Sequence, residues 1–174
     1  MRYIKAAFIG LSLGILVPLL FSCAGPRLIP HYNGADPQLE PYVEEYKALA
    51  KYHGITFNNS VSMGFTDINQ GYVVGLTNYG LFFREIDIDR VYWSNATDMT
   101  RLTLMFHEMT HSFCFRSHDY GEGKEYDKNS FSMDGRFNDA CPKSLMFPYE
   151  LDDDCAMAHY QQYIDEMFER CIPF

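Results

Sequence analysis

Along residues 37–53, apolar side chains fall at Leu39, Val43, Tyr46, Leu49 and Ala50, at spacings that place them on one face of a helix. Pro37 suits a first helical turn, Asp36 supplies a cap and Gly54 a stop. The pattern then changes. Residues 55–57, 61–68, 71–77 and 81–89 are rich in β-branched and aromatic side chains punctuated by Gly and Asn, which predicts about four strands. Ile86 and Ile88 alternate with Asp87 and Asp89, so the last strand is expected to keep one wet face. Helical spacing returns over residues 97–116 and again over 152–170, where Asp152, Asp153 and Asp154 gather at the N-terminal end as caps and dipole partners. Helix, strands, helix, irregular segment, helix is the order of a small α+β domain with a mixed sheet of about four strands, occupying residues 37–174.

Ahead of that domain the pattern is different. An apolar run over residues 6–20, broken by Gly10, Gly14 and Pro18, follows Arg2 and Lys5. It is shorter than the roughly 20 residues that span a bilayer, which predicts a signal peptide over residues 1–22. The run ends in Leu20-Phe21-Ser22-Cys23, which resembles a bacterial lipobox. That resemblance implies lipid attachment at Cys23, a lipidated tether over residues 23–36 carrying Pro26, Pro30 and Gly34, and a lipid-anchored place on a membrane of the bacterial cell envelope. Four cysteines remain: Cys114, Cys141, Cys155 and Cys171. An even number in an oxidising compartment predicts two disulfides, in any of three connectivities. No CxxC pair exists, so a cysteine-based zinc site is not expected.

Composition narrows the function classes. With 174 residues, 47% hydrophobic and 16% aromatic, the chain can bury one core. A net charge of -9 opposes a phosphate backbone, so no nucleic-acid partner is expected. A monomer is expected.

The chemistry-bearing motif is His107-Glu108-Met109-Thr110-His111 on the second helix. Four residues turn about 400°, so the two imidazoles stack on one face and can share one ion. Glu108, one step round, can reach a water beside that ion as a general base. With His107 at 0°, His111 lies at about 40° and Glu108 at about 100°. Leu102, Met105, Phe106, Met109 and Phe113 cluster at about 160–260°, so one face feeds a core while the other presents the motif. Zn2+ is the expected metal, with His107 and His111 as two ligands and His118 as the favoured third. A continuous helix would carry His118 about 16 Å along the axis from His107, so the chain has to break after about Phe115 and fold back. Gly121 and Gly123 permit a turn; Asp119, Glu122 and Glu125 are the alternative third ligands.

His107-Glu108-x-x-His111, followed later by Ser144-Leu145-Met146-Phe147-Pro148-Tyr149, resembles the HExxHxxGxxH and Met-turn pattern of the metzincin metallopeptidases. The third His falls seven residues after His111 rather than six, and Cys114 stands where the pattern has Gly. This longer spacing is similar to that of a group of small bacterial zinc peptidases, many of them predicted lipoproteins. In these an Ile-rich strand ending near a Trp, here residues 84–93, precedes the helix. The resemblance implies a metzincin-like zinc-peptidase fold and a metalloendopeptidase acting on a peptide or protein substrate. It also implies Met146 lying under the metal, and an edge strand, residues 81–89 or 71–77, that binds substrate backbone. Tyr149 is the candidate hydroxyl for steadying an oxyanion, or else a packed aromatic beside the turn. The rival class is a surface lipoprotein that binds a partner or glycan on an inactive metallopeptidase-like scaffold. The intact Glu108 argues against it, because a purely structural metal site needs no such acid.

Overall fold

The computed structural model describes residues 32–69, 71–80, 83–119 and 141–172. Helix α1, Glu40–Tyr52, starts later than its apolar spacing suggests. Asp36 does act as a cap, but for the tight turn ahead of the helix: its carboxylate accepts from the Gln38 amide at 2.9 Å and its carbonyl from the Leu39 amide at 2.8 Å. Gly54 ends the segment with φ +77°, a conformation that favours glycine.

Among the described residues the sheet has three strands rather than four. They are β1 (Ser62–Thr66), β2 (Gly75–Tyr79) and β3 (Arg84–Asp89), in the order β1-β3-β2. β1 runs parallel to β3 and β2 antiparallel to it, with Gly75 opposite Ile88 and Thr77 opposite Ile86. Residues 55–57 form no strand; Phe57 instead packs its ring on Tyr46 and Phe113. The segment expected as strand up to Trp93 ends in a short helix α2, Arg90–Asn95, started by the Asp89 carboxylate accepting from the Tyr92 amide at 2.7 Å.

The expected wet face of β3 is buried: Glu85 is 0% and Asp87 1% exposed. The Tyr32 hydroxyl donates to Asp87 at 3.0 Å and the Asn78 amide at 3.3 Å, donors that a buried carboxylate requires. Gly64 lets the Tyr32 ring lie there, since a Cβ would come within 2.3 Å of it. On the other face Ile86 and Ile88 enter the main core.

Helix α3, Asp98–Cys114, is capped by Thr97, which accepts from the Thr100 amide at 3.0 Å. The expected final helix is two, α4 (Asp153–Ala158) and α5 (Tyr160–Glu169), separated at His159 with φ -119° and ψ 18°. The Asp152 side chain caps α4, as its composition suggested. Tyr46 ties α1, α3 and α5 together. Its ring lies 5.2–5.9 Å from Phe57, Phe106, Phe113 and Phe168. Its hydroxyl is 3.2 Å from that of Thr110.

Two disulfides close the domain, Cys114–Cys171 and Cys141–Cys155. The first fastens the end of α3 to the residues after α5. Such bonds are characteristic of compartments outside the cytoplasm. No helix among the described residues is long and apolar enough to cross a membrane. The signal segment, Cys23, Glu122 and Glu125 lie outside the described residues.

Candidate metal centre

Helix α3 divides its faces as the spacing predicts. Met105, Phe106, Met109 and Phe113 are buried in the core, and His107 and His111 emerge on the other side. The helix stops at Phe115, whose φ of 51° is left-handed. The chain then doubles back and delivers His118 to the two helical histidines. His107 Nε2 lies 3.0 Å from His111 Nε2 and 3.1 Å from His118 Nε2, and the three ligand nitrogens all lie within 4.8 Å of one another.

The outer nitrogens decide the protonation. His107 Nδ1 is 2.8 Å from the Leu145 carbonyl and His111 Nδ1 is 2.5 Å from the Arg116 carbonyl. A carbonyl oxygen only accepts, so both Nδ1 atoms carry the proton and donate, and both Nε2 atoms present lone pairs. Two lone pairs 3.0 Å apart repel unless a cation is shared between them. A proton does not serve that role near neutrality. Burial, aided by the neighbouring imidazoles and Arg116, holds His107 down to about 3 and His111, where the Arg116 carbonyl opposes it, to about 4; it lowers His118 as well. Three imidazoles around a tetrahedral zinc stand about 3.3–3.4 Å apart, from Zn–N bonds of about 2.0–2.1 Å. The two spacings from His107, 3.0 and 3.1 Å, are close to that, and all three nitrogens lie within 4.8 Å of one another, so the trio could hold a metal ion.

The alternative ligand Asp119 is used elsewhere: its carboxylate accepts from Arg170 at 2.5 Å and lies 3.8 Å from Arg116. Glu108, 5% exposed, lies against β2. The Thr77 hydroxyl donates to its carboxylate at 2.6 Å. Burial, opposed by that hydrogen bond and assisted by Asp87, pushes the Glu108 carboxyl up to about 7. A cation held by the three imidazoles would pull it down again. Gly75 makes the room: a Cβ there would stand 2.5 Å from Glu108 Oε1.

The Ser144-Leu145-Met146 segment forms a turn closed by the Phe147 amide donating to the Ser144 carbonyl at 3.2 Å. Leu145 holds His107, and the Met146 carbonyl accepts from the Asp119 amide at 2.8 Å, next to His118. Met146 itself is fully buried, outside the main hydrophobic cluster. Beside the histidines opens a cleft of about 720 Å3 walled by Tyr92, Leu104, Leu145, Phe147 and Leu151. His107, Glu108 and His118 line it, together with the half-exposed Tyr149. Thr100, Thr103, Leu104 and His107 all line it, so the cleft follows α3 for about 10 Å. Of the two stretches expected to bind substrate backbone, residues 84–89 form β3, the central strand, with both edges paired; among the described residues β2 is at an edge, and the chain leading into it lines the cleft.

The residues that sequence reasoning missed are Thr77, Gly75, Arg116 and Glu166. None belongs to a spaced motif, and only the sheet register and the packing of α5 bring them to the site. Comparison with protein-family models, with curated proteins and with solved structures yielded no match.

Proposed function

We propose that the protein is a zinc-dependent metallopeptidase of metzincin-like type, anchored by lipid at Cys23 to the bacterial cell envelope and acting on peptide or protein substrates. The observation that carries this reading is the pair of bare imidazole nitrogens of His107 and His111 facing each other at 3.0 Å, with His118 beside them. A three-histidine set with neutral ligands suits zinc and leaves a coordination position open for chemistry. Zinc bound there supplies Lewis acidity, generating a nucleophile from water at neutral pH and polarising a carbonyl.

The chain's own residues supply the rest. Glu108 is the general base: it takes a proton from the attacking water and returns it to the leaving amine. The Thr77 hydroxyl fixes the carboxylate's direction. Tyr149, on the cleft's lining, is the candidate donor to the developing oxyanion. An extended substrate adding to the edge of β2 would set its backbone across the histidines, and the apolar cleft along α3 would take one of its side chains.

Metal analysis of protein purified at neutral pH should find about one zinc per chain. Glu108→Gln should retain that zinc and lose peptide cleavage. Protein that takes up no zinc removes the metal centre, and undiminished cleavage by Glu108→Gln removes the base.

A further inference from the structure

The three histidines are oriented by two stretches of backbone, residues 116–119 and 144–146, and both stretches converge on one side chain of α5. We propose that Glu166 is the positioning residue of the metal centre, setting the three imidazoles without touching any of them. Its Oε1 accepts from Arg116 Nη2 at 2.6 Å, and its Oε2 accepts from Arg116 Nη1 at 3.2 Å and from the Ser144 hydroxyl at 3.0 Å. Arg116 also donates to the Ser144 hydroxyl at 3.3 Å, and Arg170 joins Glu166 at 3.2 Å and Asp119 at 2.5 Å.

Each of these contacts leads to a histidine. Arg116 carries the carbonyl that holds His111 Nδ1. The Ser144 hydroxyl accepts from the Met146 amide at 3.1 Å and so shapes the turn whose Leu145 carbonyl holds His107. Asp119, joined to the same turn through the Met146 carbonyl, follows His118. The side chains of Arg116 and Glu166 are 9% and 20% exposed, so the pair sits out of bulk water, where its strength and planar geometry are kept. A glutamine at 166 would keep the shape but present an amide N–H2 to donors. Either Arg116 or Ser144 then loses its acceptor, and the carbonyl that depends on it is free to drift.

This inference rests on the metal-holding part of the proposed function and on none of the proteolysis. The test is zinc affinity of the full chain by chelator competition, with wild type, Glu166→Gln and Arg101→Gln all verified as folded by circular dichroism. Cobalt(II) substitution reports the ligand geometry through its visible spectrum. Glu166→Gln should weaken zinc about 10–100-fold, the range for lost outer-shell partners, and alter the cobalt bands. Arg101→Gln, which breaks an ion pair at the start of α3, should change neither. An affinity within twofold of wild type, with an unaltered cobalt spectrum, overturns the proposal. If Glu166→Gln does not fold, Ser144→Ala decides: it removes the hydroxyl through which Glu166 and Arg116 reach the turn, together with its bond from the Met146 amide, and unchanged zinc binding overturns the proposal equally. Wild type that binds no zinc sinks the metal centre and this inference together. Zinc binding that is indifferent to both variants sinks this inference alone.

Discussion

Gly75→Ala places one methyl group against the proposed base and touches none of the proposed ligands. The new Cβ would stand 2.5 Å from Glu108 Oε1, 2.8 Å from Cδ and 2.9 Å from Cγ, against an ordinary contact of at least 3.4 Å. Three atoms of one side chain are in the way, so the whole carboxylate has to retreat, by about 0.9 Å at Oε1, or β2 has to move outward. Retreat breaks the 2.6 Å bond from Thr77, which fixes the carboxylate's direction. A hydrogen bond to a charged or part-charged group contributes about 1.5–3 kcal/mol, so stability falls by an amount in that range. A misplacement of about 1 Å at a reacting group costs on the order of 100-fold in rate, equivalent to about 2.7 kcal/mol of barrier.

The assay separates these effects. Turnover of a quenched fluorescent peptide taken from a cleavage library is measured for wild type and Gly75→Ala, with zinc content and thermal midpoint recorded on the same samples. The expected variant keeps about one zinc, melts a few degrees lower and loses about two orders of magnitude in kcat with little change in KM. A variant with wild-type kcat refutes the argument that Glu108 acts from its observed position. A variant that loses zinc refutes the separation between the base and the three histidines.

Asp89→Ala should cost about 1 kcal/mol at neutral pH, the usual worth of an N-cap, measured by denaturant unfolding. The bonds from the Tyr92 and Ile68 amides hold the Asp89 carboxyl below its ordinary 3.8, so its contribution is present above that value and vanishes as pH falls through it and below. The variant's deficit should therefore shrink in acid, and a deficit that stays constant into strong acid removes the cap assignment. Replacing both Cys114 and Cys171 with Ala opens a loop of 57 residues and should lower stability by about 4 kcal/mol; the 14-residue Cys141–Cys155 loop predicts about 3 kcal/mol. Equal or reversed costs in guanidinium melts would show that strain or residual structure outweighs loop entropy. Tyr149→Phe should lower kcat about 10-fold or more at unchanged zinc content if its hydroxyl meets the oxyanion, and no change in kcat leaves it a packed aromatic.

The parts of this molecule legible in sequence are those whose physics is local. HExxH spacing and the apolar stripe of α3 are consequences of the helical repeat, so the polar face of His107 and His111 follows from geometry, and the fold-back after Phe115 follows once His118 is taken as the third ligand. Composition cannot show pairing. Asp87 alternates with Ile86 and Ile88 as a solvent-facing residue would, yet the Tyr32 hydroxyl, 55 residues away in sequence, makes its burial tolerable. The break at His159 leaves no trace in the spacing, because buried Ala156 and Tyr163 stand seven residues apart and lie on one stripe with or without it. Thr77 and Gly75 meet Glu108 only through the register of β2, and register is set by long-range contacts.

The two departures from the HExxHxxGxxH pattern, Cys114 in place of Gly and a third His one residue late, are a single change. In that pattern the Gly turn stands three residues before the third His. Here the left-handed residue is Phe115, three residues before His118. The turn falls one position later than that pattern would place it, and α3 ends in Cys114, which bonds Cys171. The cost is a bulky residue in a left-handed conformation, roughly 1–2 kcal/mol. Its ring offsets part of this: Arg84 lies over it at 5.0 Å and the Tyr79 ring meets it edge-on at 5.4 Å, contacts worth about 0.5–1 kcal/mol each. The disulfide at the preceding residue holds the end of the helix against unwinding. A shifted turn also puts Arg116, rather than a residue inside the helix, where its carbonyl meets His111 and its guanidinium meets Glu166. Arg116, the residue after the left-handed Phe115, thus links His111 through its carbonyl to α5 through its guanidinium.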